Sequence, residues 1–147
     1  MSLSGDDLQR VVQTVWSTQL GFELEVADSA DLAPMLSEEN TVLTSIHFAG
    51  DFTGRLEQRC SHHVSLSAAA AAFSGTGNEL GNSDIRDTVA EMAHMTAGNL
   101  KSILAQNCEV RTPDHHESSS GQDSIIAEAA FTFEGEPLIV DVIQEDC

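Results

Sequence analysis

The stretch DIRDTVAEMAHMTAGNLKSIL, residues 84–104, lies in the longest uninterrupted helical pattern of the sequence, which predicts a helix over residues 84–106. At about 100° per residue, one side of this helix carries a mostly apolar stripe. The stripe consists of Ile85, Val89, Met92, Thr96, Leu100 and Ile103. An amphipathic helix buries its apolar side against a core, so the opposite side is predicted to face solvent.

The opposite side, called the polar ridge below, carries Asp87, Glu91, His94, Gly98 and Lys101. These five residues fall within about a quarter turn of one another. Two acids and an imidazole therefore share one side of the helix at i,i+4 and i,i+3 spacings. Gly98 leaves the ridge open for the backbone of a partner. Spacing alone also fits a solvated helix face with ordinary charges, because such faces are common.

Length and composition indicate a globular protein with a strongly acidic surface. The chain has 147 residues, 41% of them hydrophobic, which predicts a single domain over residues 1–147. There are 24 acidic residues against 6 basic ones, a formal net charge of -18. Such a surface repels phosphate backbones and anionic lipids, so we expect no nucleic-acid partner and no membrane partner.

The cysteines and the first residues favour a cytoplasmic protein. Cys60, Cys108 and Cys147 are an odd set without a CxxC pair, which is typical of reduced thiols. The opening residues have neither the basic nor the apolar region of a secretory signal. The longest plainly apolar run, Ala68–Phe73, is far shorter than the roughly 20 residues of a membrane span.

Helical and strand patterns alternate along the rest of the chain, which favours an α+β fold. A first helix over residues 6–20 has Ser4 and Asp7 as a capping pair and Gly21 at its end. The remaining predicted elements are a strand (22–26), a loop (27–40), a hairpin (41–48 and 55–60), an Ala-rich helix (64–73), a short strand (108–112), a polar loop (113–123) and a closing hairpin that turns at 134–136.

The string E-x-x-H-M-x-x-G-N-x-K, from Glu91 to Lys101, resembles the signature helix of the CheX-type chemotaxis phosphatases in the CheC/CheX/FliY superfamily. Three other stretches resemble the family in the same order along the chain. They are LQRVVQTVWSTQLGFELEV (8–26), IHFAGDFTGRLEQRC (46–60) and GEPLIVDVI (135–143). The resemblance implies an antiparallel sheet covered by helices, with the signature helix exposing its ridge, and a homodimer.

The resemblance also implies an activity, which is hydrolysis of the phospho-aspartate of a response-regulator receiver domain. Glu91 would engage the active-site lysine of the receiver, and Asp87 would support Glu91 or contact the partner. Gly98 and Lys101 would frame the docking surface. The receiver would supply the Mg²⁺ ion as well as the phosphoryl group, so no cofactor and no metal are expected on this chain.

The sequence departs from the family at the position of the catalytic Asn, which is replaced by His94. A neutral imidazole has one hydrogen-bond donor and one acceptor, so it can hold the attacking water as a carboxamide does. The resemblance therefore implies that His94→Asn would preserve or raise the activity. The alternative is a catalytically impaired adaptor that binds a receiver without turning it over. An unrelated small-molecule-binding domain fits the sequence least, because no cluster of aromatic residues indicates a cavity.

Some family members carry a second copy of the signature on the first helix. Here the matching spacing gives Asp6, Arg10 and Gln13. Arg10 replaces the Glu and would repel a receiver lysine, so we predict no second site.

Several other residues invite functional interpretations that we do not favour. The adjacent pairs His62–His63 and His115–His116 do not converge as metal ligands usually do, so no functional metal site is expected. Cys60 and Cys108 flank predicted strands and are expected to be buried hydrophobic residues rather than nucleophiles. Trp16 is expected in the core.

Overall fold

The protein's structure is a computed structural model that describes residues 3–73, 81–104, 107–110 and 124–145. In chain order its elements are α1 (Gly5–Leu20), β1 (Glu25–Val26), α2 (Ser29–Leu32), β2 (Val42–Gly50), β3 (Gly54–Cys60), α3 (His62–Ala72), α4 (Asn82–Leu104), β4 (Cys108–Val110), β5 (Ser124–Phe133) and β6 (Glu136–Gln144). Two short 3-10 turns, Ala33–Met35 and Glu38–Asn40, lie between α2 and β2.

The strands form one antiparallel sheet in the order β1-β5-β6-β3-β2-β4, which confirms the predicted α+β fold. Helices α1, α3 and α4 cover one face of the sheet, called the inner face. Trp16, Leu56 and Phe131 are fully buried in the core between these helices and the inner face. The other face, called the outer face, is partly covered by α2, whose Leu32 packs with Ala130 and Ile139.

Helix α1 begins and ends as its sequence predicts. The Ser4 side chain accepts a hydrogen bond from the backbone N–H of Asp7, and the Asp7 carboxylate accepts one from the N–H of Ser4. This reciprocal capping box satisfies two backbone donors at the helix start. At the other end, Gly21 adopts a left-handed conformation with φ 74°, which favours glycine.

The β2–β3 hairpin depends on a glycine where two strands meet. A Cβ atom at Gly54 would collide with the carbonyl oxygen of Ile143 on β6. Only glycine therefore allows this close approach of β3 to β6. The closing hairpin turns at Glu134 and Gly135, as predicted, and both residues have positive φ.

The structure differs from the sequence prediction mainly at element ends. Only Glu25–Val26 of the predicted strand 22–26 pairs with β5, although Phe22 and Leu24 are buried. The predicted loop 27–40 contains α2, because the Asp28 side chain caps the N–H of Ala30. Helix α3 begins two residues early, at His62, because Ser61 caps it.

Parts of three predicted elements lie outside the described residues. These parts are residues 105–106 of the long helix, residues 111–112 of the short strand and the whole polar loop 113–123. Within the ranges that the structure describes, no helix is both long enough and apolar enough to cross a membrane.

Candidate functional site

The predicted amphipathic character of α4 holds in three dimensions. Its buried residues are Thr88, Val89, Met92, Ala93, Thr96, Ala97 and Leu100. On the polar ridge, Asp87, Glu91, Gly98 and Lys101 are exposed and His94 is half-buried. All five predicted site residues therefore lie on the surface side of one helix that is anchored in the core.

A buried hydrogen bond ties α4 to the sheet close to the ridge. The side chain of Gln58 on β3 is fully buried, and its Nε2 donates a hydrogen bond of 2.8 Å to the carbonyl oxygen of Val89. Val89 lies half a turn before Glu91. Small residues on the buried side, Ala93 and Ala97, have no exposed surface, which indicates close packing of the same turns. The rotation of α4 about its axis is thus fixed where the ridge carries its acid and its imidazole.

The two ridge carboxylates have no partner within the described part of the chain. Neither Asp87 nor Glu91 forms a hydrogen bond or an ion pair there, and both are exposed. An exposed carboxylate without an internal partner can bind a cation from another molecule without first breaking an existing contact. Glu91 is therefore free to meet a positively charged group of a partner protein.

The imidazole of His94 is placed between protein and solvent. Its Nδ1 atom is buried and has no hydrogen-bond partner among the described residues. Its Nε2 atom also has no hydrogen-bond partner there, but this atom is not buried. Nε2 therefore reaches the surface. The ring thus directs one nitrogen inward and the other outward, on the same side of α4 as Glu91.

The C-terminal part of the ridge is open. No atom lies within 4 Å of the position that a Cβ would take at Gly98. The neighbouring Asn99 is exposed, and its Nδ2 donates a hydrogen bond of 2.9 Å to the carbonyl oxygen of Met95. Asn99 therefore contacts its own helix rather than the space beside His94.

Helix α1 presents different chemistry at the corresponding spacing. Arg10 is exposed and forms an ion pair of 3.1 Å with Asp7. The Nε2 atom of Gln13 lies 3.5 Å from the carbonyl oxygen of Leu24. Asp6 is exposed. This helix carries a cation where α4 carries Glu91.

The cysteines of the described residues are poorly suited to nucleophilic chemistry. Cys60 is fully buried, and this burial raises the pKa of its thiol to about 12. Partial burial is also the main cause that raises the pKa of Cys108, which is half-buried rather than buried as expected. Cys147 lies outside the described residues. Trp16 is in the core, as predicted.

The histidine pairs form no site in the part of the chain that is described. His62 and His63 are exposed at the start of α3, and Nε2 of His63 lies 2.9 Å from a carboxylate oxygen of Glu134. No group of three or more potential metal ligands is present among the described residues. The pair His115–His116 lies outside them.

The outer face carries a group of charged residues that was not predicted from the sequence, called the outer-face cluster. It consists of Arg55, Glu57, Arg59, Glu128 and Asp141. Asp141 is 4% exposed and pairs across the strands with Glu57 on one side and Glu128 on the other. Burial is the main cause that raises the pKa of Asp141 to about 8, assisted by its hydrogen bond with Glu128 and by the charge of that residue.

The same contact has the opposite effect on Glu128. The hydrogen bond from Asp141, followed by one from the Ser29 hydroxyl, lowers the pKa of Glu128. The two shifts have opposite directions, so Asp141 holds a proton more readily than Glu128 does. A signal for this cluster exists in the sequence, since an acid interrupts the apolar run PLIVDVI, but its neighbours are set by strand register.

Known proteins resemble this chain in sequence and in structure. The profile of the family described as "Chemotaxis phosphatase CheX" matches residues 42–131. Among solved structures, the chemotaxis protein CheX of Vibrio vulnificus is 18% identical, with a TM-score of 0.71 and coverage of 95% of each chain. CheX of Desulfovibrio desulfuricans is 15% identical, with a TM-score of 0.69, and the match covers 94% of this chain and 96% of that one.

A third similar structure is a complex. In the CheX–CheY–BeF3–Mg²⁺ complex of Borrelia burgdorferi, the matching chain is 15% identical, with a TM-score of 0.67 and coverage of 94% of this chain and 96% of that one. At such identities the likeness establishes a shared fold. No curated protein sequence gives a significant match.

Proposed function

We propose that this chain, which belongs to the CheX family of chemotaxis phosphatases, hydrolyses the phospho-aspartate of a CheY-type receiver domain of a response regulator. One observation carries the proposal. Glu91 and His94 lie a single turn apart on the surface side of an anchored helix, and Glu91 has no partner among the described residues. A complex between CheX and CheY of Borrelia burgdorferi supports a receiver as the partner.

In this proposal Glu91 binds the active-site lysine of the receiver and thereby positions the two proteins. His94 then lies beside the acyl phosphate and holds the attacking water. The water oxygen bonds to phosphorus as the bond from phosphorus to the aspartate oxygen breaks. The electron pair of that bond stays on the receiver's carboxylate, and both protons of the water remain on the phosphate product. Such a loose displacement needs positioning more than strong base catalysis.

The remaining ridge residues have supporting roles in the proposal. Asp87 supports Glu91 or contacts the receiver, whereas Gly98 and Lys101 frame the docking surface. The Mg²⁺ ion belongs to the receiver, so the chain itself would bind neither a metal nor another cofactor. It acts as a single domain over residues 1–147, in the cytoplasm and as a homodimer.

Charge limits how the two proteins meet. The formal net charge of -18 disfavours long-range attraction to another acidic protein. Affinity must therefore come from local charge pairs at the ridge, of which Glu91 with the receiver lysine is the central one.

A second candidate function is a receiver-binding adaptor without catalysis. The observation that favours it is the imidazole at the position where the family signature has Asn. An error of about 1 Å in the position of a catalytic group can cost on the order of 100-fold in rate. The adaptor would still use Glu91 for docking.

The two functions differ in the lifetime of a phosphorylated receiver. Purified CheY-type receiver domains would be phosphorylated with acetyl phosphate, and phospho-aspartate decay followed with and without saturating protein. The phosphatase shortens the half-life, and Glu91→Ala removes this effect. Glu23→Ala, at another exposed glutamate, serves as the matched control and should leave it intact. An unchanged half-life together with measurable binding would favour the adaptor.

A further inference from the structure

The two nitrogens of the His94 ring have different surroundings, and this difference decides where its proton resides. Nδ1 is buried without any hydrogen-bond partner in the described residues, whereas Nε2 reaches the surface. A neutral imidazole carries its single proton on one nitrogen and a lone pair on the other. The surroundings therefore select between two tautomers with different chemistry at the ridge.

A proton on Nδ1 would place a buried N–H group opposite no acceptor. Buried N–H groups without a partner are rarer in proteins than acceptors that lack one, because the lost hydrogen bond to water is not replaced. A proton on Nε2 instead leaves only a lone pair in the buried position, and the N–H group is solvated. The second tautomer is the one that this environment favours.

We infer that His94 carries its proton on Nε2 and acts as a hydrogen-bond donor at the ridge rather than as a base. This inference rests on the proposed function, since the acceptor is an oxygen of the attacking water or of the receiver's phosphoryl group. A donor holds that oxygen in place while the phosphorus–oxygen bond to the aspartate breaks. No proton moves to His94, because the water protons stay on the phosphate.

The outward nitrogen also defines how far the donor reaches from the helix. Nε2 of histidine is one bond farther from Cβ than Nδ1 is. The amide nitrogen of glutamine is as many bonds from Cβ as Nε2 of histidine is. The amide nitrogen of asparagine is as many bonds from Cβ as Nδ1 of histidine is. Gln therefore reproduces the reach of His94, whereas Asn is one bond shorter.

The tautomer can be measured directly in the free protein. A ¹⁵N NMR spectrum of labelled histidine side chains distinguishes a protonated ring nitrogen from an unprotonated one, and His94→Gln assigns the signals. We expect the neutral His94 ring to carry its proton on Nε2. A proton on Nδ1 would overturn the inference whether or not the protein hydrolyses anything.

The donor role is tested by three substitutions at position 94 with the phosphorylated receiver. Relative to the unmodified protein, we expect His94→Ala to lower the rate on the order of 100-fold, His94→Gln to stay within about tenfold, and His94→Asn to fall near the Ala variant. His62→Gln, at an exposed histidine on α3, is the matched control. An Asn variant as active as the Gln variant, or a Gln variant as slow as the Ala variant, would contradict the inference.

Failure of the proposed function gives a different result. If the unmodified protein does not accelerate decay, the same variants can be compared by their affinity for a receiver loaded with beryllofluoride and Mg²⁺. An N–H donor at the reach of Nε2 predicts that His94→Gln binds more tightly than both His94→Asn and His94→Ala. Equal affinities of the three variants would refute the donor while leaving docking through Glu91 in place.

Discussion

The polar ridge of α4 and the outer-face cluster both gather charged residues, yet they use their charges differently. In the cluster, Arg55 binds Glu57 at 2.8 Å and Arg59 lies 3.4 Å from Asp141. Arg55 also binds Glu145, outside the cluster, at 2.7 Å. On the ridge, Asp87 and Glu91 have no partner among the described residues.

The difference separates charges that serve the fold from charges that serve a partner. Buried or half-buried charges are costly unless other groups of the same chain satisfy them. Exposed carboxylates cost little when they are unpaired, so they remain available for binding. Substitutions in the cluster should therefore change stability, whereas substitutions on the ridge should change function.

The largest effect is expected from reversing the charge of Glu91. Glu91→Lys places a cation against the receiver lysine, so the rate of receiver dephosphorylation should fall on the order of 100- to 1000-fold. The free energy of unfolding should change by less than about 0.5 kcal/mol, because the side chain is exposed. Phospho-receiver decay and urea unfolding measure the two quantities. A loss of stability comparable to the loss of rate would remove the distinction between the two regions.

Asp141→Asn should alter the pH dependence of stability. Because the pKa of Asp141 in the folded protein is raised to about 8, the folded state binds this proton more tightly than the unfolded state does. Its contribution to stability is full below about pH 4 and is lost as the pH rises to about 8. Asn keeps the hydrogen bond to Glu128 without titrating. From about pH 5 to about pH 8.5 the variant should therefore gain up to about 4 kcal/mol relative to the unmodified protein, at about 1.4 kcal/mol for each pH unit below the pKa.

Urea unfolding at those two pH values measures this gain, and receiver dephosphorylation should be unaffected. Glu128 acts in the opposite direction, since its lowered pKa gives stability that is lost at acid pH. If the free energy of unfolding varied with pH in the same way in both proteins, the pair of Asp141 and Glu128 would not be the source of this pH dependence.

A smaller loss of stability is expected at Arg55. Its side chain is 11% exposed and bridges two half-buried carboxylates. Arg55→Leu leaves both without this cation and should lower the free energy of unfolding by about 1–2 kcal/mol. Arg55→Lys retains the charge but not the planar fork, so an intermediate loss is expected. Thermal or urea unfolding measures whether stability falls from the unmodified protein through Arg55→Lys to Arg55→Leu. A changed rate of receiver dephosphorylation in either variant would contradict a purely structural role of Arg55.

The smallest effect is expected at Gly98, where stability and function should change in opposite directions. Ala has the higher helix propensity, and no atom obstructs a Cβ there, so Gly98→Ala should stabilise the protein by about 0.5–1 kcal/mol. If the partner's backbone approaches this position, the same change should weaken receiver binding. Asn99→Ala, off the ridge, is the control that should leave binding unchanged. Tighter binding by Gly98→Ala would argue against an approach at this point.

Local patterns predicted most of the fold. The capping box at Ser4, the end of α1 at Gly21 and the turn at Glu134–Gly135 follow from residues that are adjacent or nearly adjacent in sequence. The apolar stripe of α4 likewise needs only the helical period to define which side is buried. Predictions were weaker at β1 and α2. The pairing of β1 depends on how it meets β5, whereas the cap of Asp28 on Ala30 is a local signal that was not recognised in the sequence.

Sequence alone determined the composition of the ridge, since helical periodicity places Glu91 and His94 on one side of α4 wherever that helix packs. Only the tertiary structure decided what surrounds each group. Strand register aligned Glu57, Asp141 and Glu128 across three strands, and packing turned one nitrogen of His94 inward. These contacts join residues that are distant along the chain, and local sequence carries no information about which atoms of such residues become neighbours.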